Sequence, residues 1–486
     1  MQTNRAECPE HRLHGGNAKP GRGWSYSSSP RPPFSPPRRA FTEPKAQESK
    51  GPSLTISDQV VDFFDEKLLN LSSAQKLPPV IEVSKTIPND IWHKVSPFWV
   101  LFSLATLILT ILSWVLHFVL GDRSPTAVFV SAFLALLLQA YILGYATEQL
   151  SLSSGEKVAA LLNVSFGNAV ELIVAIIALT KCELEVVQSS LVGSVFSNLL
   201  LVTGMALIAG GLRNGVQRFS SEEAQLQSAL LVFACCSILF PTISYLLQRF
   251  NSEVNVAQAE NTLHVFSRGS SVVSMLVYAL YLAYSMMLSN KSESKTSASE
   301  KAEPAAHIQD QNEDSEDQEE PQIGRLVALS LLLGITAIVG ITAEFLVSSL
   351  DGMTSEGPLS KQFVSVILLP IVGNAAEHVS AIMLAFKNKA RMALDIAVGS
   401  SLQISLFVLP ISVILGWIMG HPMTLFFDPL QSIILLVSIV LVSFIVQDGK
   451  SNWMEGVLLF ALFVNLCVAF QVYPGIEYTN TVNSCT

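Results

Sequence analysis

The chain has 486 residues, half of them hydrophobic and only 14% charged, with a mean hydropathy of +0.46. That balance excludes an ordinary soluble globular domain and indicates a polytopic membrane protein. The net charge of −10 comes with basic residues spread over loops rather than gathered in a patch, so no nucleic-acid partner is expected.

Residues 1–94 are expected to be a cytosolic tail. Its first 50 residues are rich in Pro, Ser, Gly and Arg and lack an apolar core for a signal peptide, so they read as disordered, with a regulatory or targeting segment as the alternative. Residues 56–72 carry apolar residues at rough helical spacing and suit an amphipathic helix. Eleven apolar runs follow, at 97–119, 126–146, 157–179, 187–210, 224–247, 266–288, 325–349, 362–386, 393–419, 424–446 and 453–472. They show no sustained two-residue alternation, so the expected class is all-α with eleven transmembrane helices, not a barrel. Lys and Arg concentrate on the side that holds the N-terminus, which places that end in the cytosol and the tail 474–486 in the lumen. Six scattered cysteines show no ligand spacing, and no disulfide framework is expected.

Two of these runs contain related elements, Gly167-Asn168-Ala169-Val170-Glu171 and Gly373-Asn374-Ala375-Ala376-Glu377-His378. A charged side chain at the bilayer centre costs roughly 2.5–3.5 kcal/mol on insertion scales and marks an ion or proton pathway by default. Further elements recur in the same order: Gly144 to Glu148 matches Gly340 to Glu344, and Val192-Gly193-Ser194 matches Val398-Gly399-Ser400 at the same interval from each motif Glu. The expected organisation is a first helix (95–123), a five-helix repeat (124–289), an acidic cytosolic linker (290–324) and a second five-helix repeat (325–473). An odd number of spans per copy inverts the second relative to the first, and inverted repeats place their substrate site between them at the midplane.

If each motif continues one helix, Asn163, Gly167, Glu171 and Ala175 share a stripe, as do Gly373, Glu377, Ala381 and Ala385. Small residues beside each Glu permit close helix approach. Glu171 and Glu377, with oxygens from Asn168, Asn374, Ser194, Ser400, Ser401 or Gln403, would then supply an all-oxygen shell suited to Ca²⁺. Glu148 and Glu344, nearer span ends, are candidates for the pathway or for interfacial groups. His378 is a candidate tuning residue beside Glu377 or a hydrogen-bonded packing group, and Asp395 could face water. Cations and protons compete for such carboxylates, which is the minimal requirement for exchange.

At these motifs the chain resembles the cation/proton exchanger (CAX) family of the calcium/cation antiporter superfamily, over about residues 95–473. Phe386-Lys387-Asn388-Lys389 after the second motif fits that pattern, and Asp448 to Gly456 is similar to fungal vacuolar members. The resemblance implies eleven spans with an acidic stretch after the sixth. It also implies exchange of cytosolic Ca²⁺ for protons across a multi-pass vacuolar membrane protein. Glu171 and Glu377 would alternate between Ca²⁺ and H⁺, with Asn168 and Asn374 beside them and no further cofactor. Mn²⁺ as a second cargo and a homo-oligomer in the bilayer are left open. A sodium-coupled calcium exchanger and a passive cation channel are the rival readings. An enzyme is disfavoured, since no His-Glu-x-x-His helix or Gly-x-Ser-x-Gly elbow is present.

Overall fold

The apolar runs form helices in a computed structural model that describes residues 97–154, 158–159, 162, 165–250, 255–299 and 321–475. The N-terminal tail, the 56–72 segment, Asn163, the acidic run at 313–320 and residues 476–486 lie outside the described residues. In chain order the helices are α1 (Pro97–Leu120), α2 (Pro125–Leu152), α3 (Ala169–Thr180), α4 (Leu184–Asn214), α5 (Ser221–Phe250), α6 (Val256–Ser299), α7 (Arg325–Glu356), α8 (Lys361–Gly373), α9 (Ala375–Phe386), α10 (Ala390–Met419), α11 (Pro429–Val446) and α12 (Trp453–Val472). Among the described residues nine helices are long and apolar enough to cross a membrane, or ten if the bent pair α8–α9 is one span. This is the all-α polytopic class expected. The helix expected at 266–288 is longer, because polar residues flanking the apolar run continue it in both directions.

The centre of the molecule is α4, whose most apolar stretch is 89% buried, against 17% for α6 at the periphery. Small residues let its neighbours approach by backbone, in the manner of membrane helix interfaces. Gly204 and Gly456 bring α4 and α12 together, since a Cβ at 456 would lie 2.6 Å from the Gly204 carbonyl oxygen. Gly193 does the same for α8. Both α4 and α10 contain one π-helical stretch, at Ser197–Val202 and Ile404–Val408, and a π turn re-aims side chains inside an otherwise regular helix. The turns after α3 and α9 each hold a non-glycine residue in the left-handed region, Cys182 at φ 60° and Asn388 at φ 63°.

The span expected at 424–446 begins as a helix only at Pro429, with Asp428 accepting from the Leu430 N–H at its start. The buried non-helical run before it survives inside the molecule because side chains satisfy its backbone. Gln188 donates to the Thr424 carbonyl, Ser267 accepts from the Leu425 N–H, and Thr242 bonds both Leu425 and Phe427. A two-residue antiparallel pairing of Gln217–Arg218 (β1) with Lys450–Ser451 (β2) joins the α4–α5 and α11–α12 loops. One cysteine expectation is corrected: Cys182 is disulfide-bonded, whereas Cys235, Cys236 and Cys467 are free thiols. Sequence spacing carries no information about such a pairing.

Candidate functional site

Each motif begins a helix instead of sitting inside one, which corrects the single-stripe expectation. Asn168 precedes α3 and Asn374 separates α8 from α9, whose axes differ by 60°. In both cases the Asn is the N-cap and the Glu is the third helical residue. That spacing is the sequence of a capping box, and a carboxylate in the first turn is favoured by the helix dipole. Neither Asn side chain caps its own helix. Both are diverted to the other half of the molecule.

Ser400 Oγ donates to Asn168 Oδ1 at 2.7 Å, and Asn198 Nδ2 donates to both Ser400 Oγ (3.0 Å) and Asn374 Oδ1 (3.2 Å). Asn374 Nδ2 in turn reaches the Ser194 carbonyl at 3.3 Å. One buried chain of hydrogen bonds therefore runs from the first motif, through α10 and α4, to the second. His378 bonds the Asn374 carbonyl through Nδ1 and lies 3.5 Å from Ser197 Oγ through Nε2.

The carboxylates stand beside this chain. Glu171 is 6% exposed, and neither of its oxygens has a hydrogen-bond partner among the described residues. Glu377 is partly exposed as a residue, yet its Oε2 is equally buried and without a partner. Buried carboxylate oxygens without hydrogen bonds are costly unless a proton or a cation satisfies them. Among the described residues no three His, Cys, Asp or Glu side chains converge as metal ligands, so the formal charge the site offers is that of this pair. Glu171 borders a cavity of about 10 Å³, about the room of one water molecule, lined also by Val170, Ser190, Ser194, Leu346 and Gly373. A hydrated cation does not fit there in this conformation.

Other candidates lie elsewhere. Glu148 is exposed near the end of α2, and Glu344, with a 58% exposed side chain, pairs with Lys181 at 3.5 Å. Ser401 bonds back to the Ala397 carbonyl of its own helix, and Gln403 is buried further along α10. Asp395 does not simply face water; it accepts from Gln227 at 2.9 Å and neighbours Arg391. One residue that the sequence reading passed over belongs to the site: Asn198 links the motifs. Gly373, expected on the Glu377 stripe, instead presents bare backbone to Glu171. The adjacent polar pair Ser197-Asn198 inside an apolar run was the available signal for Asn198.

Known proteins resemble this chain over most of its described length. A vacuolar calcium ion transporter of Schizosaccharomyces pombe is 42% identical over 355 residues, covering 73% of this chain and 81% of its own. A Ca²⁺/H⁺ antiporter of Aphanothece halophytica is 39% identical over 349 residues, covering 72% and 91%. The crystal structure of the Ca²⁺/H⁺ antiporter protein YfkE superposes with a TM-score of 0.61 at 30% identity, covering 78% of this chain and all of that one. The sodium/calcium exchanger protein family matches residues 124–287 and 327–472. With both motifs and more than half of its length inside that match, the chain belongs to the sodium/calcium exchanger protein family.

Proposed function

We propose that the protein is a calcium ion/proton antiporter, a multi-pass protein of the vacuolar membrane that moves cytosolic Ca²⁺ into an acidic lumen. The observation that carries this reading is the pair Glu171 and Glu377, each in the first turn of its helix, with both oxygens of Glu171 and Oε2 of Glu377 buried and without a hydrogen-bond partner among the described residues. Two protons or one Ca²⁺ neutralise the pair, so each displaces the other. The neutral side chains of Asn168, Asn374, Asn198 and Ser400, linked in one buried hydrogen-bonded chain, offer oxygens that suit a hard cation that dehydrates readily. Relatives named as calcium transporters and Ca²⁺/H⁺ antiporters support Ca²⁺ and H⁺ as the exchanged ions.

The reading includes eleven spans, with the segment leading into α3 completing the third, and two inverted five-helix halves. Its support is backbone as well as sequence. Cys182 and Asn388, both left-handed, are separated by the same interval as Asn168 and Asn374, and the π stretches of α4 and α10 each follow a Gly-Ser element. Inverted halves give a site that opens to either face by rocking. The N-terminus is then cytosolic and the C-terminus lumenal. Mn²⁺ is the first alternative cargo to test.

The test is the proton gradient of acid-loaded vesicles that carry the full chain. Added Ca²⁺ should dissipate the gradient in wild type and fail to do so in Glu171→Gln or Glu377→Gln, with variant protein still in the membrane. Ca²⁺ entry without proton movement would sink the reading and leave a channel or a sodium-coupled carrier, the latter revealed by Na⁺-driven flux.

A further inference from the structure

On the face of the molecule opposite β1 and β2, two lysines tie α7 to the elements that carry the carboxylates. Lys181, at the end of α3, donates to Ser348 Oγ at 2.7 Å and pairs with Glu344 at 3.5 Å. Lys361, the first residue of α8, pairs with Asp351 at 2.7 Å and with Glu183 at 2.9 Å. Glu344, Ser348 and Asp351 follow one another at helical spacing and form a stripe down one flank of α7. Leu346 lies on the other flank, is fully buried, and lines the small cavity beside Glu171. The elements that hold the first motif (α3) and lead to the second (α8) therefore each grip the helix that lends a side chain to the cavity at the first carboxylate.

We propose that Lys181 and Lys361 are positioning residues that form a two-point latch. They seat α7 so that Leu346 shuts Glu171 off from the face on which the lysines lie, and their release is the step that opens it. The deduction deepens the exchanger reading by identifying what controls access on one side. The pairs suit a part that must open every cycle. The lysine side chains are about one-third exposed and the Glu344 and Asp351 side chains more than half, and ion pairs in such surroundings are weak individually and sensitive to salt. Holding α7 at two points, two turns apart, fixes its rotation as well as its position, which a single pair could not do.

The test measures access, not transport. Ser190 lines the cavity, so Ser190→Cys is a reporter in the full chain, reconstituted in nanodiscs. Its modification by a membrane-impermeant cationic methanethiosulfonate is followed against the Ser190 parent. Lys181→Gln with Lys361→Gln should raise the modification rate at least fivefold, and high salt should raise it in the unlatched background far less than in the latched one. Charge exchange, Lys181→Glu with Glu344→Lys, should restore slow modification, which also shows that the variant folds. A rate unchanged in the double Gln variant, or a rate raised as much by the charge exchange, overturns the latch. If modification responds as expected while wild-type vesicles show no Ca²⁺-dependent proton movement, the transport reading fails and the latch stands.

Discussion

The carboxylate of Glu171, from the first motif, rests on the backbone of Gly373, from the second: a Cβ placed at residue 373 would lie 2.6 Å from Oε1 and 2.7 Å from Cδ. The glycine of one half is thus the floor under the acid of the other. Gly373→Ala must push the Glu171 side chain aside, because the carboxylate is buried and has little space to move into. Overpacking of this kind costs about 1–3 kcal/mol, and if it falls on the cation-bound state alone it is a loss of about 5- to 150-fold in affinity. We expect a raised KM for Ca²⁺ in vesicle flux, with protein amounts near wild type. An unchanged KM would show that Glu171 does not stay on this floor when cation binds.

Asn198 gives a second prediction. It donates to Asn374 and Ser400 and lies in the π stretch of α4, fully buried. Asn198→Ala leaves two buried acceptors without their donor, about 1–3 kcal/mol, and cuts the chain that holds both motif asparagines off their own helix caps. Transport should fall steeply. The informative control is Ser401→Ala, whose hydroxyl bonds the Ala397 carbonyl of its own helix and whose loss should leave flux within about twofold. Equal losses in the two variants, measured at equal protein, would remove the special place given to Asn198.

These two residues also mark the boundary of what the sequence disclosed. The helical class was legible because apolar runs of spanning length have one stable form in lipid, and the motif acids were legible because a carboxylate in such a run needs a reason. The break at Asn168 and Asn374 was not, since a Gly-Asn pair inside an apolar run raises no polarity signal strong enough to end a span. Its consequence was an incorrect stripe: Gly373 serves Glu171 across the molecule, not Glu377 along its own helix. Asn198 is likewise defined by what lies 176 and 202 residues away. The pairs Lys181–Glu344 and Lys361–Asp351 depend on helix packing that periodicity does not encode.

Competition between the exchanged ions predicts a sign for the pH response. If a proton occupies the same oxygens as Ca²⁺, acidifying the side from which Ca²⁺ loads raises the apparent KM for Ca²⁺ and leaves the maximal rate unchanged, because saturating cation displaces the proton. Initial rates over a matrix of Ca²⁺ concentration and external pH, with lumenal pH fixed, make the check. A maximal rate that falls at constant KM would instead place the titrating group outside the cation site.

The last prediction sets the two copies against each other. Gly193 and Gly399 occupy the same place in the repeated sequence, yet their surroundings differ. A Cβ at 193 would lie 2.1 Å from the Val366 carbonyl oxygen and 2.7 Å from Pro370 Cγ, whereas nothing lies within 4 Å of one at 399. Gly193 is where α4 and α8 meet by backbone, and a backbone carbonyl in a packed helix cannot rotate away as a side chain would. Gly193→Ala should therefore separate α4 from α8 and lower both yield and thermal stability of the purified protein. Gly399→Ala adds a methyl to open space, and replacing Gly by Ala within a helix favours the fold by about 0.5–1 kcal/mol, so its thermal midpoint should be equal or higher. Matched stability measurements on the two variants decide it. If both are destabilised alike, the copies pack symmetrically in the membrane. If only Gly193→Ala suffers, the approach of α4 to α8 is a fixed contact of the resting protein, and any rocking of the halves must pivot about it.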